Sequence, residues 1–256
     1  DKLDKSLLKK EFELIVVDDA SEEQHRLDLD DCLDTSFETT LIRVEPEHKN
    51  YKNPCVAYNL AASYARGEKI ILQNPECIHA GDLITPTLQL QEGDFLSFHC
   101  YSFGIDSTKA FLSKDLSNLS FGEVCSQTMQ AISALPQNSV DVTWPDRGES
   151  WFNHASYRPV GFHFAAAINT KDWKDLNGFD NRFADGIGWD DTEFILRVRR
   201  RLNLKFCSAT VVHLFHQEFN FTGHDSMDLY KKNEELYKQV LNSGEWRAPD
   251  ISKYKK

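Results

Sequence analysis

The sequence holds no apolar run near the roughly 18–20 residues that cross a bilayer, so an integral membrane protein is not expected. Basic residues are in deficit, with 29 Lys+Arg against 40 Asp+Glu in 256 residues and a formal net charge of −11. That balance excludes a general nucleic-acid binder, which needs clustered Lys and Arg to neutralise phosphates. No C-x-x-C spacing occurs among Cys32, Cys55, Cys77, Cys100, Cys125 and Cys207, so neither a zinc knuckle nor a dithiol redox motif is indicated. The cysteines are not dense enough for a disulfide scaffold and read as free, mostly buried thiols. No repeat, low-complexity tract or Pro/Gly/Ser linker divides the chain, and no secretory signal opens it. It starts at Asp1 without Met, and a missing N-terminal segment is the expectation. What is present is a 41% hydrophobic and 12% aromatic composition, enough for the core of one large domain.

Local patterns give an order of elements. Ser6–Lys10 reads as the end of a helix, and Phe12–Val17, rich in β-branched residues, as a buried strand. Ser21 with Gln24 has a capping-box spacing that predicts a helix start. A strand is expected at Thr39–Val44. Asn53-Pro54 then reads as an N-cap with Pro at the first helical position. Val56, Ala57, Leu60, Ala61, Tyr64 and Ala65 recur at helical spacing up to Gly67, and Lys69–Leu72 is a third strand. This alternation predicts an α/β layer with a mainly parallel central sheet. Further on, Phe95–Phe103, Phe162–Ile168 and Val211–Phe215 read as strands. Glu123–Leu135, Asp190–Leu202 and Ser226–Leu241 read as helices, and Pro136–Pro159 as a loop carrying Trp144, Trp151, His154 and Arg158.

In such a sheet, ligands bind beyond the carboxyl ends of strands. Asp18-Asp19 follows one strand and Asn74-Pro75-Glu76 another. A carboxylate there accepts from a nucleobase or ribose hydroxyl, and a second one holds a divalent cation on a diphosphate. The competing reading of each is a turn residue or helix cap. Ala184-Asp185-Gly186-Ile187-Gly188-Trp189-Asp190-Asp191-Thr192-Glu193 delivers two adjacent acids to a helix N-terminus, where the dipole favours carboxylate. An ionised Asp is a base for a sugar hydroxyl, while Asp190 with Glu193 also fits a capping box. In Val211–Glu218, strand alternation places His213 and His216 on opposite faces, so that only one of them is expected at a site.

Three blocks carry a resemblance: FELIVVDDAS (Phe12–Ser21), NPCVAYNLAASYARGEKIIL (Asn53–Leu72) and NGFDNRFADGIGWDDTEF (Asn177–Phe194). In order and spacing they resemble the inverting glycosyltransferases of family 2, which have the GT-A fold. The last block is also similar to the C-terminal motif of β1,4-galactosyltransferases, and His216-Gln217-Glu218 resembles the His-Gln-Glu of chondroitin-polymerase-type domains. The resemblance implies a Rossmann-like α/β/α sandwich, a single GT-A domain over 1–256 with a helical tail at 224–256. It implies a donor site at Asp18, Asn59, Asn74 and Glu76 for a UDP-sugar. Glu76 stands where the family's Asp-x-Asp ends and, with His216, would ligate a divalent metal, Mn2+ rather than Mg2+ because an imidazole is in the set. Asp191 matches the catalytic base, Asp190 the acid that orients the acceptor sugar, and Trp189 a stacking residue. Trp151 and His154 fall in the loop that binds the acceptor in such enzymes.

The departures are Asn74 for an acid, Ala57-Tyr58-Asn59 where the family has Ala-Arg-Asn, and the lack, before Ser6, of the family's first strand and Pro-x-Tyr-Asn-like loop. The resemblance implies a metal-dependent hexosyltransferase of polysaccharide biosynthesis. Its partners are a nucleotide-sugar donor and a glycan acceptor, and its place is the cytoplasm or the cytoplasmic membrane face. The alternatives are a non-catalytic GT-A-like module binding nucleotide or glycan, and a nucleotidyltransferase.

Overall fold

The computed structural model describes residues 12–26, 38–115, 118–138, 149–216 and 224–250. The expected helix end at Ser6–Lys10, Cys32, Trp144, Gln217 and Glu218 lie outside them. Among the described residues the strands are β1 (Glu13–Asp19), β2 (Glu38–Val44), β3 (Lys69–Gln73), β4 (Cys77–His79), β5 (Asp94–Ser102), β6 (Ser150–Asn153), β7 (Ala165–Asn169) and β8 (Asn203–His213). The helices are α1 (Cys55–Tyr64), α2 (Ile84–Leu88), α3 (Ile105–Leu112), α4 (Phe121–Ser133), α5 (Thr170–Leu176), α6 (Asp190–Arg201) and α7 (His224–Ser243). The chain divides into two compact units. One comprises Asp1–Ile70, Trp173–Arg197 and Phe221–Lys256; the other comprises Ile71–Asp172 and Val198–Asn220.

In the first unit, β1 and β2 form a parallel pair with Val17 opposite Ile42 and Asp18 opposite Arg43, and α1 lies against β1. Among the described residues the expected capped helix start at Ser21 is not found. Glu23–His25 is a single 3-10 turn with no side-chain cap, and the Ser21 N–H donates instead to Asp18 Oδ1 at 3.0 Å. The core of this unit is aromatic: Phe179 stacks on Phe194 at 4.5 Å, with Trp173 edge-on to Phe179 at 5.7 Å. Burying such rings away from water is the main stabilising term.

The second unit is built on a sheet of order β3-β7-β5-β8-β4, with β6 also paired to β5. The expectation of a mainly parallel sheet is corrected: the sheet is mixed. β5 runs parallel to β8 but antiparallel to β6 and β7, and β4 is antiparallel to β8. The alternation that suggested parallel strands continues only as far as the β1–β2 pair. β4 and β6 are too short for a periodic signal, and both enter antiparallel. β5 is buried along its whole length and contributes to two clusters. Leu96, Phe98 and Cys100 pack with Leu83, Leu90 and Phe152; Tyr101 packs with Phe103, Phe111, Ile132 and Trp151. β8 has 11 residues rather than the short Val211–Phe215. Its first half is only partly buried, which hid it behind polar residues. The described cysteines are unpaired: Cys55, Cys77 and Cys100 are buried, and Cys125 and Cys207 are half-buried.

Candidate active site

Asp18, Asp190 and Asp191 belong to the first unit and Glu76, His213 and His216 to the second. At the end of β1, Asp18 is buried and held from two sides. Oδ1 accepts from Ser21 N–H at 3.0 Å and Oδ2 from Arg43 Nε at 3.2 Å. Burial raises its pKa, but the Ser21 and Arg43 contacts outweigh it and leave the carboxyl below its ordinary value. Asp19 accepts from Lys49 Nζ at 2.8 Å and from the Tyr51 hydroxyl. The turn contact weighed for Asp18 is therefore made.

The glycine-rich segment owes its shape to two asparagines. Asn59, on α1, donates from Nδ2 to the Phe179 carbonyl and to Asn181 Oδ1, and accepts the Phe179 N–H on Oδ1. Its amide is spent on this turn. Gly178, at φ +62°, leaves room for it, since a Cβ there would lie 2.3 Å from Asn59 Oδ1. Asn233, on α7, donates to the carbonyls of Phe183 and Gly188. It approaches so closely that a Cβ at Gly186 would lie 2.1 Å from its Oδ1. Trp189 is itself in the left-handed region at φ 68°, a costly conformation for a large side chain. Its ring stacks on Tyr237 at 5.0 Å and lies 5.6 Å from Tyr230.

That turn delivers the two acids to the start of α6. Asp190 is buried and accepts from Asn53 Nδ2 at 2.8 Å. Burial, and next the charge of Asp191, push it up to about 7, against the pull of the Asn53 bond. Asp191 is half-exposed. Its Oδ1 accepts from the Thr192 N–H and hydroxyl, which leaves Oδ2 without a hydrogen bond among the described residues. The capping box weighed for Asp190 and Glu193 does not form. Glu193 instead makes a fully buried pair with Arg197, at 2.5 and 2.8 Å, and Arg197 also donates to the Leu176 carbonyl.

In the second unit Glu76 precedes β4, and β4 pairs with β8 so that Cys77 faces His213. Glu76 Oε1 lies 3.1 Å from His213 Nε2 and 3.9 Å from His216 Nε2. Asn74 Nδ2 donates to the same oxygen at 2.9 Å. Burial would raise Glu76, but the His213 and Asn74 hydrogen bonds outweigh it and hold the carboxyl down at about 2. The ligand atoms of Glu76, His213 and His216 all lie within 4.8 Å of one another. The expectation that His213 and His216 diverge is corrected. β8 ends at His213, so the alternation rule stops there, and the chain turns His216 back toward Glu76. His213 was missed for that reason. Its ring is buried against Phe152 at 5.1 Å and Phe164 at 5.6 Å.

Trp151 and His154 also come together, with ring centroids 4.5 Å apart. Trp151 is buried and donates from Nε1 to Gln137. The exposed ring beside it is Tyr157, stacked at 6.2 Å.

The family model for glycosyl transferase family 2 matches residues 3–143, more than half of the chain. The chain belongs to glycosyl transferase family 2. Family 2 membership makes the protein a glycosyltransferase, with a nucleotide-sugar and a glycan as its substrates, and its mixed α/β build fits a GT-A-like fold. The match takes in Asp18, Asn59, Asn74 and Glu76 of this glycosyltransferase and stops short of Trp151, His154, Trp189–Asp191, His213 and His216. No curated protein matches the chain. Among the described residues no helix of this family 2 member is long and apolar enough to cross a membrane.

Proposed function

We propose that the protein is an inverting, metal-dependent glycosyltransferase that moves a hexose from a UDP-sugar to a carbohydrate hydroxyl in polysaccharide biosynthesis, in the cytoplasm or at the cytoplasmic membrane face. The observation that carries the reading is the family match, together with a half-exposed Asp191 whose Oδ2 is open beside a buried acid. The acceptor oxygen attacks the anomeric carbon as the bond from that carbon to the diphosphate oxygen breaks. The hydroxyl proton passes to Asp191, and UDP leaves on the opposite face. Asp190, held by Asn53, orients the acceptor sugar.

Glu76, His213 and His216 fit a divalent cation. Ligand atoms on one ion at about 2.0–2.2 Å are at most about 4.4 Å apart, close to the 4.8 Å limit of this group. Glu76 is held ionised. One carboxylate and two imidazoles suit Mn2+ better than Mg2+. A cation there would neutralise charge developing on the departing diphosphate. Asp18 would meet the uridine, and Tyr157 and Trp189 the sugars.

Asn74 favours a second reading. It donates to Glu76 where a second acid would otherwise supply charge, as expected of a domain that binds nucleotide without transfer. UDP release, measured over a panel of UDP-sugars with simple glycan acceptors and Mn2+, separates the two. Turnover supports transfer, and Mn2+-dependent UDP binding without turnover supports the binding module.

A further inference from the structure

His99, on β5, and His154, just after β6, lie face to face with ring centroids 4.0 Å apart and planes 35° apart. Both rings serve as hydrogen-bond acceptors for the same short turn. The Ala155 N–H donates to His99 Nε2 at 3.3 Å. The N–H groups of Ser156 and Tyr157 donate to His154 Nδ1 at 3.0 and 3.2 Å. The turn is closed by His154 N–H to the Arg158 carbonyl and Arg158 N–H to the His154 carbonyl, both 3.0 Å.

A ring nitrogen that accepts carries no proton. His99 is therefore the Nδ1–H tautomer and His154 the Nε2–H tautomer. Adding a proton to either ring replaces the accepting lone pair with an N–H aimed at a backbone N–H. Two imidazolium rings at this spacing would also repel. We propose that His99 and His154 form a pH-sensitive latch, holding the turn Ala155–Arg158 while both rings are neutral and releasing it on protonation. Burial, and next the charge of His154, bring His99 down to about 4, and burial lowers His154.

Among the described residues, the groups facing the pair do not offset this. From β6 and the turn, the neighbours are Trp151 at 5.8 Å from His99 and the Tyr157 phenol at 4.6 Å from His154. From β8, His99 is opposite Thr210, which does not titrate. The Arg158 guanidinium is turned to the Phe152 carbonyl and the Phe162 ring, and Glu149 lies by Gly104. The sign follows. Both rings bind protons less readily in the closed turn than in the open one, so closure is complete above the ordinary imidazole value of about 6.5. It is lost progressively as the pH falls toward the depressed values. Tyr157 rides on this turn, so the latch sets whether its exposed ring stays stacked on Trp151. The latch rests on the ring geometry and not on the sugar-transfer reading, although the Tyr157 ring that it carries is the one proposed there to meet a sugar.

Amide hydrogen exchange on the whole protein, from about pH 7.5 to 4.5 and corrected for intrinsic rates, tests it. Protection at Ala155, Ser156 and Tyr157 should fall by about tenfold per pH unit below roughly 6.5. His154→Asn keeps a side-chain acceptor for the N–H groups two and three residues on, but cannot titrate. It should flatten the response at Ser156 and Tyr157. Protection that does not change with pH in the native protein, or an unchanged pH response in His154→Asn, would overturn the proposal. Nitrogen NMR of the native imidazoles at neutral pH gives an independent check if the variant does not fold. Unprotonated Nε2 on His99 and Nδ1 on His154 support the latch; the opposite tautomers refute it.

Discussion

Asn53 Nδ2 donates to Asp190 Oδ1 at 2.8 Å, joining residues 137 positions apart. The same amide lies 3.4 Å from the Gly188 carbonyl and accepts the Cys55 N–H. One side chain thus ties the start of α1 to the strained turn that presents Asp190 and Asp191. Asp190 is a buried acid whose pKa burial, and next the charge of Asp191, lift from 3.8 to about 7 against the pull of the Asn53 bond. A raised carboxyl stabilises the fold at low pH, and that contribution is lost as the pH rises through about 7, at about 1.4 kcal/mol per pH unit between the two values. Asp190→Asn keeps an acceptor for Asn53 and removes the buried charge. Its melting temperature should exceed that of the native protein at pH 8 and match it near pH 4. Equal stability of the two proteins at both values would show that Asp190 is not buried as an acid.

Asp191→Asn removes the proposed base and keeps the shape. Activity should fall by about 10²–10⁴-fold, while UDP affinity in calorimetry stays nearly unchanged. Full activity in this variant would refute the assignment.

His213→Ala and Glu76→Ala each remove one ligand of the proposed cation. Mn2+ titrations followed by calorimetry should show affinity reduced at least about 10-fold in each. UDP binding should lose its dependence on Mn2+. An unchanged Mn2+ affinity in both variants would remove the ion from this site.

Glu193 and Arg197 are both fully buried. Arg197→Leu leaves the Glu193 carboxyl without its partner and should cost about 3–5 kcal/mol in denaturant unfolding. Replacing both, as Glu193→Leu with Arg197→Met, should recover most of that loss. A small loss in the single variant would mean that water reaches the pair.

Local sequence carried part of this account. The β-branched run at Phe12–Val17 and the helical spacing of Val56–Ala65 locate β1 and α1 within a few residues, because both elements follow their own periodicity. The acids at 190 and 191 were legible from the glycines around them. Their supports were not, since Asn53 reaches Asp190, and Asn233 the carbonyls of Phe183 and Gly188, through tertiary contacts that no spacing encodes. Gly186 looks like a flexible residue in sequence and proves to be a packing requirement, because Asn233 occupies the space of its Cβ. The strand directions failed for a similar reason: Cys77–His79 has 3 residues, and its pairing with β8 is fixed by the sheet rather than by its own pattern. His213 was passed over for His216 by an alternation rule applied three residues past the end of its strand.

The central claim is that Asp191 is the base of a sugar transfer and that Glu76, His213 and His216 hold its cation. A crystal structure of the whole protein with Mn2+, UDP and a bound acceptor glycan tests it most directly. The account predicts an ion held by Glu76, His213 and His216, and the Asp191 carboxylate beside the acceptor hydroxyl. An ion held elsewhere, or an Asp191 carboxylate away from the acceptor hydroxyl, would contradict it.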